Sequence, residues 1–292
     1  LMTEFGSFVG EVSRLSRSST IINEENVYQE ANEDIRPFLD KMVETLILPG
    51  SGVNGLENIE ELYRHAMNGK ACLLLPEHYS NMDLSLVTYL LEKAGGKGEE
   101  ISQSIIAIAG MKLSEDNPVV SAFASAYSRI VICPSRSLQS LDAEKDRAEI
   151  LRVNAINRSA MKAVIRAKYK GHLILIFPSG TRYRPGDPST KRGVREIDSY
   201  IRSFDYMCLA SINGQVLHIR PGNMMDDEVS NDKVRVSFSP VIPCGEFRDR
   251  IRSDAEARGI PDGDAKKQFV ADAIMEELEK MHVLNEEKRQ NS

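Results

Sequence analysis

From residue 70 onward, short apolar runs alternate with long amphipathic stretches, and this alternation is what most narrows the folds open to the chain. The runs are ACLLL (71–75), SIIAIAG (104–110), SRIVIC (128–133), HLILIF (172–177), MCLASI (207–212), QVLHI (215–219) and VRVSFSPVI (234–242). Between them the pattern predicts helices over 83–94, 115–127, 142–170 and 191–203, with a last one over about 264–287. In 142–170, Leu151, Ala155, Met161, Val164 and Ile165 keep helical spacing, and Gly171 is a natural stop. Strands alternating with helices argue for an α/β fold whose sheet is mostly parallel and flanked by helices. The last strands have no helix between them, so that edge is expected to be antiparallel. Residues 1–66 read as a small N-terminal helical segment, broken at Gly50-Ser51-Gly52, ahead of an α/β domain over 67–292.

Charge and composition exclude several classes. A formal net charge of −6 argues against a general nucleic-acid binder, which needs a basic field or stripe. No apolar run approaches the roughly 20 residues that span a bilayer, and the first residues lack the pattern of a secretory leader. The expectation is a reducing, cytoplasmic compartment. Cys72, Cys133, Cys208 and Cys244 lie far apart, without metal-ligand spacing, and read as buried free thiols. Neither a metal nor a cofactor is expected.

The stretch PEHYSNMDL (76–84) sets His78 five positions before Asp83, just past a predicted strand end. A bland reading fits: Ser80 as N-cap and Asp83 at the third helical position make a capping box, with Leu84, Val87, Leu90 and Leu91 as the core face. The chemical reading is that a tight turn brings the carboxylate to the imidazole, fixing its tautomer and stabilising the imidazolium. Histidine is the side chain best placed to act as a base near neutrality. No G-x-S-x-G elbow and no evident serine or cysteine nucleophile accompanies it, so such a base would most simply activate a hydroxyl of the substrate.

A second constellation follows another buried run, in LILIFPSGTRYRPGDPSTKRG (173–193). Its prolines and glycines mark an irregular loop, and Arg182 and Arg184, two apart, would project to one side of an extended segment. Two guanidinium groups on one side suit a phosphate dianion; the bland alternative pairs them with local acids such as Asp187. Lys191, Arg192 and Arg195 add positive charge nearby. Arg136, in SRIVICPSRS, stands beyond a third strand end. Residue groups converging on one rim of the sheet favour a site.

With these blocks on view, the chain resembles the glycerolipid acyltransferase family, marked by His-x-x-x-x-Asp and a later F-P-x-G-T-R. Here they are His78 to Asp83 and Phe177-Pro178-Ser179-Gly180-Thr181-Arg182, about a hundred residues apart. The likeness is nearest to soluble, plastid-type glycerol-3-phosphate acyltransferases, whose second block reads like Pro178, Ser179, Gly180, Arg182, Arg184 and Pro185. The resemblance implies an enzyme that transfers a fatty acyl group from an acyl carrier protein or coenzyme A thioester to the sn-1 hydroxyl of glycerol 3-phosphate. It would work in a cytoplasmic or plastid-stroma-like compartment with peripheral contact at a membrane. It implies His78 as base, Asp83 as its partner, and Arg182, Arg184 and Arg136 around the phosphate. Ser179, Gly180 and Thr181 would supply oxyanion donors or simply the turn. Acylation of 1-acylglycerol 3-phosphate is the near alternative; a non-catalytic module binding acyl carrier protein or lipid is the distant one. Arg192 and Arg195, or EFRDRIR (246–252), are candidates for docking an acidic carrier protein.

Overall fold

The computed structural model describes residues 21–111, 118–135, 144–220 and 227–291, together with positions 10, 14 and 142. In chain order the strands are β1 (Tyr28–Gln29), β2 (Gly52–Asn54), β3 (Cys72–Pro76), β4 (Ile105–Gly110), β5 (Arg129–Ile132) and β6 (Leu173–Leu175). They continue with β7 (Tyr206–Asn213), β8 (Leu217–His218), β9 (Glu228–Val229), β10 (Arg235–Phe238) and β11 (Ile242–Pro243). The helices are α1 (Arg36–Leu46), α2 (Leu56–Met67), α3 (Asp83–Lys93), α4 (Gly98–Ser104) and α5 (Pro118–Ala124). After these come α6 (Arg147–Lys168), α7 (Ile197–Ser203), α8 (Cys244–Ala257) and α9 (Asp264–Gln290).

One mixed sheet runs β1-β5-β4-β6-β3-β7-β10-β2, with β11 paired to β7, while β8 and β9 form a separate ribbon. Its middle, from β5 to β7, is parallel throughout. β10 meets β7 antiparallel and β1 meets β5 antiparallel. The α/β reading and the antiparallel late strands therefore hold.

Both faces of the parallel strands are covered, which is why their sequences run apolar without alternation. Cys72 and Leu74 of β3 pack into the layer that contains α1 to α5, whereas Leu73 and Leu75 pack under α6 to α9. The stretch before residue 66 contains more than helices. β2 pairs in parallel with β10, and Leu39, Met42, Ile59 and Leu62 share a core with Leu74. Glycine and serine at 50–52 thus lead into a strand of the common sheet. Two helices, α4 and α8, arise where no helix was expected. The helix expected over 142–170 is present as α6, but Leu151, Met161 and Ile165 face outward, and Val153, Ile156, Ala160, Val164 and Ala167 form its core side.

Candidate active site

The parallel pairing of β3 with β6 places their C-terminal ends side by side on one rim, where open α/β sheets present their ligands. His78 leaves the end of β3 and Phe177 the end of β6. The two rings stack, with centroids 3.9 Å apart and planes 15° from parallel. The Tyr183 N–H donates to the His78 carbonyl at 2.7 Å, so the loop after β6 is tied by its backbone to the residue it faces.

His78 and Asp83 come together: Nδ1 donates to Asp83 Oδ2 at 2.9 Å. The same oxygen accepts the N–H groups of Tyr79 at 2.6 Å and Ser80 at 2.9 Å, and Oδ1 accepts the Ser80 hydroxyl at 2.8 Å. Asp83 is buried, and each of these partners is a donor to its carboxylate. Ser80 Oγ in turn accepts the Met82 N–H at 3.1 Å, while α3 itself begins at Asp83. With Met82 at the N-cap and no side-chain cap, the expected capping box is not formed; the carboxylate instead holds the turn and the imidazole at once. With Nδ1 committed as donor, Nε2 is the acceptor. It makes no hydrogen bond among the described residues, and the ring lines a cavity of about 300 Å³.

That cavity is walled by Tyr79 from the β3 side, Ser179, Tyr183 and Lys191 from the β6 side, and Met275, Glu276 and Glu279 from α9. Lys191 Nζ bonds Glu279 Oε2 at 2.7 Å and lies 4.8 Å from the centre of the Tyr183 ring. Behind His78, the buried Glu77 accepts the Ile212 N–H at 2.8 Å, the Tyr79 hydroxyl at 3.0 Å and His282 Nδ1 at 2.8 Å. Burial, and then the Glu77 charge beside it, push the Tyr79 phenol far above its ordinary range, so it remains a donor. Burial works against a charged His282, but the Glu77 hydrogen bond and charge outweigh it and leave its pKa raised. Glu279 adds to the rise and Lys191 subtracts from it.

Other expected residues are distributed less simply. Arg182 Nη1 bonds the buried Asp227 Oδ2 at 3.1 Å, so this guanidinium has an acid partner, though not Asp187. Arg184 is exposed, and its side chain has no ion-pair partner among the described residues. Arg136 lies outside the described residues. Ser179 Oγ donates to the Thr181 carbonyl at 2.6 Å, and the Gly180 N–H donates to the Phe177 carbonyl at 2.9 Å. Gly180 has φ 61°, which glycine adopts without strain, and the three residues build the turn.

Most of the remaining basic candidates have an acid partner, while Arg250 is exposed and lies over the Phe247 ring. Arg195 pairs with Asp264 at 2.6 Å and Arg192 with Asp272 at 3.5 Å, both on α9, and Arg248 holds Asp198 through two bonds. Glu77, Tyr183, Glu279 and His282 were not singled out in the sequence. Tyr183 alone had a local signal, lying between the two arginines. Among the described residues, no group of three or more His, Cys, Asp and Glu side chains is arranged to hold a metal.

A histidine held by a buried aspartate thus stands at the strand ends of a parallel sheet. A family model described as acyltransferase matches residues 51–201, and the chain belongs to that family. The matched span carries both blocks, His78 to Asp83 and Phe177 to Arg182. None of the curated proteins matches. Among solved structures, the chain is similar to the 1-acyl-sn-glycerophosphate (LPA) acyltransferase, PlsC, from Thermotoga maritima. The identity is 16%, the match covers 95% of this chain and 88% of that one, and the TM-score is 0.42. A likeness of that size assigns no role to any residue.

Proposed function

We propose that the chain transfers a fatty acyl group from a thioester of acyl carrier protein or coenzyme A to the sn-1 hydroxyl of glycerol 3-phosphate. The observation that carries this reading is the 2.9 Å bond from His78 Nδ1 to Asp83, which leaves Nε2 as a base on a cavity between two strand ends. His78 takes the hydroxyl proton as the acceptor oxygen attacks the thioester carbonyl. The tetrahedral intermediate then collapses, the carbon–sulfur bond breaks, and the departing thiolate receives the proton from His78. Asp83 holds the ring and stabilises the imidazolium in between. No acyl-enzyme is required, because the nucleophile is the acceptor's own oxygen.

Arg184 is the phosphate-binding group with a guanidinium to spare, and Arg182 contributes while sharing Asp227. Neither arginine lines the cavity itself, although Tyr183 between them does, so their part is to position the acceptor from outside it. The test offers glycerol 3-phosphate and 1-acylglycerol 3-phosphate in turn with one acyl thioester. Faster turnover of glycerol 3-phosphate is expected. Preference for the acylated acceptor would transfer the reading to the second hydroxyl, and binding of the thioester without turnover of either would revive a non-catalytic module.

A further inference from the structure

Helix α6 presents an unusual division of residue sizes. Its core side is built of alanine, valine and isoleucine, with Ala160, Ala163 and Ala167 among the buried positions. Larger apolar side chains point away from the protein: Leu151 is 60% exposed, Met161 43%, Ile165 51%, and Tyr169, just past the helix, 56%. Met161, Ile165 and Tyr169 are spaced four apart and so form one row along the helix. Met67, 61% exposed, extends the row at its far end, its Sδ standing 2.9 Å from where a β-carbon on Gly171 would be. Single exposed apolar residues need no explanation, but a row opposite a helix's own core face does.

A second row runs beside the first. Arg158, Lys162, Arg166 and Lys170 are also spaced four apart, and Arg158, Lys162, Arg166 and Lys170 are all exposed. None of the four has an ion-pair partner among the described residues, and this face carries no acidic residue from 158 to 170. This stretch is basic in a chain whose 43 acidic residues outnumber its 37 basic ones. Cations near a helix C-terminus complement its dipole, which accounts for Arg166 and Lys168. That effect fades within the last turn and does not explain Arg158 and Lys162, nor the outward Met161 and Ile165.

We infer that the outer face of α6 docks on an anionic lipid surface. The 22-residue helix is about 33 Å long and lies on the flank of the sheet. Laid on a bilayer, Met161, Ile165 and Tyr169 enter the boundary between headgroups and acyl chains, while the four cations meet lipid phosphates. The long stems of lysine and arginine cover the apolar row's margin while their charges stay with the headgroups. An acidic protein partner would use the charge but gives no reason for the apolar row. This surface is independent of the reaction proposed above, because it involves neither His78 nor its cavity.

Co-sedimentation of the full chain with phosphatidylcholine vesicles, with and without phosphatidylglycerol, tests it in the absence of any substrate. Binding is expected only to the anionic vesicles and is weakened by salt. The double change Lys162→Glu, Arg166→Glu lowers partitioning by at least about tenfold, each charge near the surface counting separately. Met161→Ser with Ile165→Ser also lowers it by about tenfold. These side chains are exposed, so thermal melting and acyl transfer to water-soluble acceptor remain as in the unaltered chain. Equal binding to both vesicle types, or binding indifferent to both double variants, would overturn the inference. So would capture of an acidic carrier protein, or self-association, that these variants abolish in a chain showing no vesicle binding.

Discussion

At the scale of single residues, Arg182 and Arg184 look equivalent in sequence and are not. Removing the Arg182 guanidinium takes one charged hydrogen-bond partner from the buried Asp227, which keeps the Arg220 N–H, and this costs about 2 kcal/mol. Arg182→Ala is therefore expected to lower thermal stability, and any kinetic effect will be mixed with that loss. Arg184 is exposed, and Arg184→Ala should leave the melting temperature unchanged. If it holds phosphate, losing one charge-assisted hydrogen bond raises KM for the phosphorylated acceptor about tenfold and leaves KM for the thioester alone. Equal changes in both constants would remove Arg184 from the phosphate. The distinction was illegible in the sequence because the acid that meets Arg182 lies 45 residues away. His78 and Asp83 were legible because the turn that joins them is local: the carboxylate binds the backbone N–H groups of the two residues following His78.

At the scale of elements, α9 is what closes the cavity and stiffens the end of β3. It brings His282 to Glu77, Glu279 to Lys191, and Asp264 to Arg195. The His282–Glu77 contact makes this attachment pH-dependent. Burial and Lys191 lower the imidazole pKa, Glu77 and Glu279 raise it, and the net result is a raised pKa. A raised folded value means that the stabilisation is complete below the unfolded pKa of about 6.5 and is lost as pH rises through the folded one. His282→Gln keeps the size and removes the charge. Thermal melts should therefore separate it from the unaltered chain most at mildly acidic pH and progressively less above neutrality. A gap that widens with pH would show that His282 is held neutral. Sequence could not reveal this contact, since 205 residues separate the partners. The outward face of α6 was obscured for another reason. Helical periodicity identifies a helix, but Leu151, Met161 and Ile165 share their period with the true core side.

At the scale of the whole molecule, sheet class was legible because five parallel strands are buried on both faces and so appear as unbroken apolar runs. Strand order was not, because nothing local in HLILIF states that β6 inserts between β4 and β3. That insertion is what the candidate site depends on. It joins two motifs a hundred residues apart into one rim, with His78 stacked on Phe177. The account's central claim is that His78, held by Asp83 at this junction, moves the proton during acyl transfer. Rate constants for transfer from one acyl thioester to glycerol 3-phosphate, measured for the unaltered chain and for His78→Ala, test it most directly. A fall of about a thousandfold or more, with thioester binding and circular dichroism unchanged, is the predicted result. A variant that retains a rate within tenfold of the original would contradict it.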